Sequence, residues 1–272
     1  MTHPGRATHP ARREDGTLRH RTDRGVRIGL CGFSMAFDDY IREYGLVEVQ
    51  QTFYQPPQDA TMERWRALTP SRFEFTIKAW QLITHDASSP TYRRLGSPLS
   101  GAERAEAGGF RTSPIVLRAW ARTLECAAIL RATAILFQCP ASFRPTEDNL
   151  DRLRAFFGSV ERPPDVRLLW EPRGPWATGL VAEICRDLDL VHVVDPFVSE
   201  TVTPEQTYFR LHGITGARHV YSDVELRRLV DMLPAAPAQP PYVLFNNIPR
   251  VDDARRFRAV LAAAERSVDP AR

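Results

Sequence analysis

The sequence predicts one (β/α)8 TIM barrel, and three observations point to it. Eight short apolar or alternating segments recur along the chain, and helical stretches separate most of them. Most of these segments also end in a residue that can hydrogen-bond. Strand and helix in alternation argue for a parallel sheet with crossovers, and eight such units in about 250 residues match a closed barrel. A doubly wound open sheet is the alternative, but no GxGxxG, P-loop or nucleophile elbow accompanies it. The barrel domain is placed at residues 25–268, with a long loop at 86–113 and a basic tail at 1–24.

The tail holds six arginines against Glu14, Asp15 and Asp23, which accounts for the whole net charge of +3. It lacks apolar periodicity and is expected to be disordered. The remainder is neutral, which argues against nucleic-acid binding by the barrel body.

Val26–Gly32 is the first strand, followed by a loop and a short helix near Asp38–Tyr44. Leu46–Gln50 is the second strand, with Glu48 and Gln50 on one face. After a Pro-Pro break, Asp59 is placed to cap a helix through about Leu68. Residues 73–78 alternate, with Phe73, Phe75 and Ile77 on one side and Glu74, Thr76 and Lys78 on the other. The segment 86–113 is rich in Ser, Pro, Gly and charge, the composition of a lid, a binding loop or a disordered stretch.

Pro114–Arg131 is the clearest helix, with Pro in its first turn. Thr133–Gln138 is the fourth strand, and Thr146 caps the next helix. Val166–Glu171 is the fifth strand, Thr178–Leu188 a helix, and Leu190–Asp195 the sixth strand. Pro196–Gln206 is too broken for a helix, so the sixth unit is irregular. Thr207–His212 is the seventh strand, and Ser222 with Glu225 forms a capping box. Tyr242–Asn246 is the eighth strand, and a helix over Asp252–Arg266 ends the chain.

Active sites of such barrels lie at the C-terminal ends of the strands. Glu48, Gln50, Lys78, Gln138, Glu171, Asp195, Arg210, His212 and Asn246 all fall there. Lys78 is the only lysine beside 35 arginines. An ammonium can lose its proton when desolvated and a guanidinium cannot, so this position reads as a site where arginine fails. The plainer reading is a lysine left by chance or one paired with a buried carboxylate.

Glu48 and Glu171 suit a proton-transferring carboxylate pair, or ion pairs to Lys78 or Arg210. Lys78 suits either a Schiff base or a fixed cation for an anionic ligand. Gln50, His85, Gln138, Arg173, Asp195, Arg210, His212 and Asn246 are candidate ligand-binding groups, with Tyr54 and Trp176 as stacking surfaces. A metal held by Glu48, Glu171, Asp195 and His212 lacks supporting ligand spacing, so no metal and no cofactor is assigned. The four cysteines form no CxxC pair and read as reduced thiols.

The segments VEVQQTFY (47–54), FTIKAWQLITH (75–85), LFQCPASFRP (136–145), WEPRGPW (170–176), YFRLHG (208–213), YSDVEL (221–226) and YVLFNN (242–247) resemble the successive signatures of the YecE-like family, the domain of unknown function seventy-two. The resemblance runs over roughly residues 26–262 and implies a (β/α)8 barrel without an established reaction. Gln50 and Gln51 stand where the family has Asn-Ser, and Pro172 where it has Phe.

The reading is therefore an enzyme of hydrolase, lyase or isomerase type, acting on a small polar, anionic or sugar-like ligand at the barrel mouth. The alternative is a non-catalytic protein that binds a nucleic acid or protein partner through the tail and the 86–113 loop. No apolar run is long enough for a membrane span, and no secretory signal is apparent, so the expected compartment is the cytoplasm.

Overall fold

The computed structural model describes residues 25–235 and 237–268. The expectation for the basic tail at 1–24 lies outside the described residues. Eight strands form a closed parallel barrel: β1 (Arg27–Cys31), β2 (Leu46–Val49), β3 (Glu74–Lys78), β4 (Ala134–Gln138), β5 (Arg167–Glu171), β6 (Val191–Val194), β7 (Tyr208–Leu211) and β8 (Tyr242–Phe245). They are joined in chain order, and β8 pairs back onto β1 through Arg27 opposite Tyr242 and Leu30 opposite Phe245.

The two-residue period of the strands divides the apolar residues into two clusters. Ala134, Leu136, Leu169, Val191, Val193, Tyr208 and Leu244 pack together inside the barrel. Phe75, Ile77, Ile135, Phe137, Phe209 and Val243 join the larger cluster beneath the helices. Glu74, Thr76 and Lys78 alternate with the outward set on β3, so they point inward, as the sequence pattern requires.

The outer layer consists of α1 (Phe37–Glu43), α2 (Gln51–Tyr54), α3 (Asp59–Leu68), α4 (Gln81–Thr84), α5 (Gly101–Glu106), α6 (Pro114–Leu130), α7 (Glu147–Ser159), α8 (Thr178–Asp187), α9 (Asp223–Asp231) and α10 (Arg250–Val268). Thr146 caps α7 by accepting from Asn149 N, and Ser222 with Glu225 forms the expected capping box on α9. Asp59 is not a cap. Gln58 holds that position, and the Asp59 carboxylate instead pairs with Arg122 at 2.6 Å.

The one-turn helices α2 and α4 directly follow β2 and β3 and are not among the elements read from the sequence. The segment 86–113 is also more ordered than its composition implied. It carries a 3-10 turn (Pro90–Arg94) and α5, which is closed by a Ser100–Glu103 capping box. Phe110 anchors it in a ring cluster with Phe137, Phe143, Phe156 and Phe157.

The sixth unit is irregular, as the sequence suggested. Between β6 and β7 there is only a 3-10 turn at Pro204–Gln206. Two side-chain bonds tie its loop to β6: His192 N donates to Thr203 Oγ1 (3.0 Å), and Val202 N donates to His192 Nδ1 (3.2 Å). No helix among the described residues is long and apolar enough to cross a membrane.

At the N-terminal end of the barrel, Glu74 accepts from Tyr242 and Thr133 and lies 3.7 Å from Arg27. Gly29 faces the interior from β1. A Cβ there would stand 2.7 Å from Leu46 O and 2.9 Å from Leu46 Cγ, closer than real contacts allow. Gly29→Ala is therefore expected to cost about 1–3 kcal/mol through overpacking. The midpoint of urea unfolding checks this, and an unchanged midpoint would show that the β1–β2 seam can yield.

Candidate functional site

The barrel's upper interior is charged. Arg210 on β7 is fully buried and lies between two carboxylates from β2 and β5. Its Nη2 donates to Glu48 Oε1 at 2.9 Å, and its Nη1 donates to Glu171 Oε2. Both acids use their remaining lone pairs. Glu48 accepts from Gln50 Nε2 (2.5 Å) and from the Tyr208 hydroxyl (2.9 Å). Glu171 Oε1 accepts from Arg173 Nη2 (2.9 Å) and His212 Nε2 (3.0 Å).

Burial alone would raise the Glu171 carboxyl, but Arg210, His212 and Arg173 together hold it well below the usual carboxylate range. Burial likewise lowers the affinity of Arg210 for its proton, and Glu171 and Glu48 more than restore it. Arg210 Nε has no partner, which leaves one buried donor unsatisfied.

Lys78 ends β3 and is buried. Its Nζ donates to Gln138 Oε1 at 2.8 Å and sits 3.9 Å from the centre of the Phe53 ring. Arg210 Nη1 reaches the same Gln138 oxygen at 3.4 Å. No carboxylate lies within ion-pair distance of Lys78 among the described residues, so the plainer reading of a carboxylate-paired lysine fails. Burial, reinforced by the Arg210 charge, lowers the amine to about 7, against the opposing pull of Glu48 and Glu171.

The right-hand side of the mouth follows from β6, β7 and β8. Asn246 Nδ2 lies 3.0 Å from His212 Nδ1, and His212 Nε2 lies 3.0 Å from both Glu171 Oε1 and Arg173 Nη2. The His212 backbone N–H donates to Asp195 Oδ2 at 2.8 Å, which fixes the end of β7 against β6. The chain then turns at Gly213 (φ +92°), where a Cβ would lie 2.3 Å from Gly216 O. Only glycine fits that turn.

The remaining candidates sit around this centre. His85 bonds Thr84 Oγ1 (2.8 Å) and packs edge-on against Phe53, the ring that also contacts Lys78. Burial lowers His85 to about 4, so it is neutral at physiological pH. The Tyr54 ring is covered by the Arg94 guanidinium at 3.5 Å and takes no part in the charged network. Trp176 stands edge-on to Trp170 and donates from Nε1 to Phe143 O (3.2 Å). Asn247, the second amide at the end of β8, turns away to Asp253 Oδ2 (2.6 Å).

A cavity of ≈500 Å3 opens here, lined by Glu171, Arg173, Trp176, Asp195 and His212 among others, but not by Lys78. Larger cavities of ≈760 and ≈540 Å3 lie at the opposite end, around Glu74 and Tyr242. In this fold that end serves stability, and the chemistry follows the strand C-termini. The ligand site expected at the barrel mouth is therefore not centred on Lys78: the amine is buried and the open space is displaced toward β5–β7.

No group of three His, Cys, Asp or Glu is placed to hold a metal ion among the described residues. Arg210 occupies the position between Glu48 and Glu171 that such an ion would need. The buried thiols of Cys31 and Cys139 are both raised by burial, Cys139 to about 12, which holds them in the protonated form. Neither Phe53, the lysine's neighbour, nor Tyr208, the donor to Glu48, is among the candidates read from the sequence. The shared face of Tyr208, Arg210 and His212 was the available signal for Tyr208, and Phe53 offered none.

Removing Arg210 strands two buried carboxylates. Arg210→Leu is expected to cost about 3–5 kcal/mol at pH 7. The deficit should shrink as pH falls toward 4, because the uncompensated carboxyls then take up protons. In the wild type, Glu171 titrates below its unfolded value. Its contribution is therefore complete above about 4.3 and is lost as pH drops through the folded value. Urea unfolding of both proteins at pH 7 and pH 4.5 measures this, and an equal deficit at both would contradict it.

The chain matches the family described as "Protein of unknown function DUF72" over residues 34–272. No curated protein matches it. A DUF72 family protein from Enterococcus faecalis V583 superimposes with a TM-score of 0.65 at 22% identity, covering 87% of this chain and 97% of that one. A second, from Thermotoga maritima MSB8, gives 0.60 at 20% identity, covering 87% and 98%. A D-tagatose 3-epimerase-like protein gives 0.54 at 10% identity, covering 90% and 99%, a likeness of fold alone. With the family matched over most of its length and the barrel in common with these structures, the chain belongs to the DUF72 family.

Proposed function

We propose that this protein is an enzyme that uses the Lys78 amine on the carbonyl group of a small polar ligand, as an isomerase or lyase. The observation that carries the reading is the charge balance around Arg210. Two guanidiniums, Arg210 and Arg173, already neutralise Glu48 and Glu171. A proton on Lys78 is then a surplus buried charge, held only by an amide oxygen and a ring face. Desolvated lysines beside another cation are the ones that supply a free amine near neutral pH.

In this reading the Lys78 nitrogen attacks the carbonyl carbon, and the carbonyl oxygen leaves as water once the imine forms. The imine, when protonated, draws electrons from the adjacent carbon and labilises its C–H or C–C bond. His212, which lines the cavity with its Nε2 3.0 Å from Glu171 Oε1, is positioned to pass protons at that carbon. Hydrolysis by a carboxylate pair is less well supported. A general acid must hold a proton near neutral pH, and Glu171 is kept ionised while Glu48 is saturated with donors.

Borohydride reduction in the presence of glycolaldehyde tests the reading. One adduct is expected on Lys78 by peptide mass spectrometry, and none in Lys78→Arg. The trapping rate should rise through pH 7 as the amine loses its proton. Labelling confined to the N-terminal amine, or equal labelling of both proteins, would refute the assignment.

A further inference from the structure

The ≈500 Å3 cavity beside the central cluster has a chemistry of its own. One wall is aromatic and rigid: Trp176 is braced edge-on by Trp170 (5.1 Å) and stacked on Phe143 (6.0 Å). Val181, Val194 and the exposed Val198 add apolar surface. The polar groups include Glu171, Asp195 and Glu200, the imidazoles of His192 and His212, and the Arg173 guanidinium. His192 is lowered to about 4 by burial and contributes no charge.

Arg173 is committed to Glu171 through both Nε (3.2 Å) and Nη2 (2.9 Å). Asp195 accepts only backbone amides, from His212 N (2.8 Å) and Phe197 N (3.1 Å), and has no ion pair among the described residues. The cavity therefore carries a surplus of negative charge from Asp195 and Glu200. Such a surface repels phosphate and carboxylate groups. Carboxylates that accept from hydroxyls, facing a flat aromatic wall, suit a polyhydroxylated ring or chain.

We infer that this cavity is the subsite for the body of the ligand, and that the ligand is a neutral polyhydroxy carbonyl compound, a free sugar and not a sugar phosphate. The inference rests on the amine reading for the carbonyl end of the ligand. The subsite adjoins that centre at Glu171, which lines the cavity and holds Arg210, while Arg210 and Lys78 share the Gln138 oxygen.

The test uses the full chain carrying Lys78→Ala, which separates binding in the cavity from the amine. Tryptophan fluorescence and calorimetry are recorded with a panel of free pentoses and hexoses, and with D-fructose 6-phosphate beside D-fructose. Saturable binding of at least one free sugar is expected, with its phosphorylated form about tenfold weaker or worse. Asp195→Asn and Trp176→Ala should each weaken the free sugar about tenfold. Glu200→Gln, at an exposed position that does not threaten the fold, should narrow the gap between the free and phosphorylated forms. Circular dichroism confirms that each variant is folded.

Equal or tighter binding of the phosphate, unchanged affinity in folded Asp195→Asn and Trp176→Ala proteins, or no binding by any sugar overturns the inference. Sugar binding that persists without any borohydride adduct on wild-type Lys78 leaves this subsite standing and removes the amine chemistry instead.

Discussion

The interior of this barrel depends on one guanidinium. A fully buried arginine is costly, and it is tolerated only when its charge is matched and its donors are used. Arg210 has its charge matched, and every donor group but Nε used, by drawing Glu48 from β2 and Glu171 from β5 onto β7, so three strands that are not neighbours converge on one charge. The layer beneath adapts to it. Tyr208 donates upward to Glu48, Thr76 lies 2.9 Å from the same hydroxyl, and Tyr208 stacks on Tyr242. A (β/α)8 barrel ordinarily fills this level with branched aliphatic side chains. Here a polar network replaces them, and satisfying it determines which side chains surround the strand ends.

That arrangement also decides the state of Lys78. Had either carboxylate been free to turn toward β3, the lysine would have gained a counter-ion and stayed charged. Both are instead committed to Arg210, and Phe53 fills the remaining side. The buried amine is thus a consequence of the arginine beside it. Arginine at position 78 could not respond in this way, because a guanidinium keeps its proton under any desolvation a protein imposes.

Much of this was legible in the sequence, for identifiable reasons. The strand ends were visible because inward-facing polar residues interrupt apolar runs with a strict period of two, as at Glu74, Thr76 and Lys78. The helix starts at Thr146 and Ser222 were visible because capping is a local code. What the pattern does not encode is which charges meet. Glu171 paired with Arg210, and Lys78 without a carboxylate, are outcomes of barrel closure between residues tens of positions apart. The 86–113 segment was misjudged for a related reason. Its order comes from Phe110 entering a ring cluster built by α7 and β4, and an isolated aromatic in a polar stretch carries no periodic signal. The position of the open space was equally hidden, because it depends on how loops meet and not on where strands end.

The location of that space follows from the irregular sixth unit. Prolines at 196 and 204, with Thr201 and Thr203 between them, disfavour a helix over this short connection. The loop is held to β6 by two side-chain bonds in place of a helical ladder. It leaves Val198 79% exposed and Ser199 and Glu200 on the rim of the cavity. A full helix packed across β6 and β7 would need these residues for its own contacts, and the rim they form would go with it. The charged centre is therefore closed on the β2–β4 side, where α2, α4 and the 86–113 segment pack, and approachable on the β5–β7 side. The missing helix gives an otherwise symmetric barrel a direction of approach, and places it where Glu171 and His212 connect the cavity to the buried cluster.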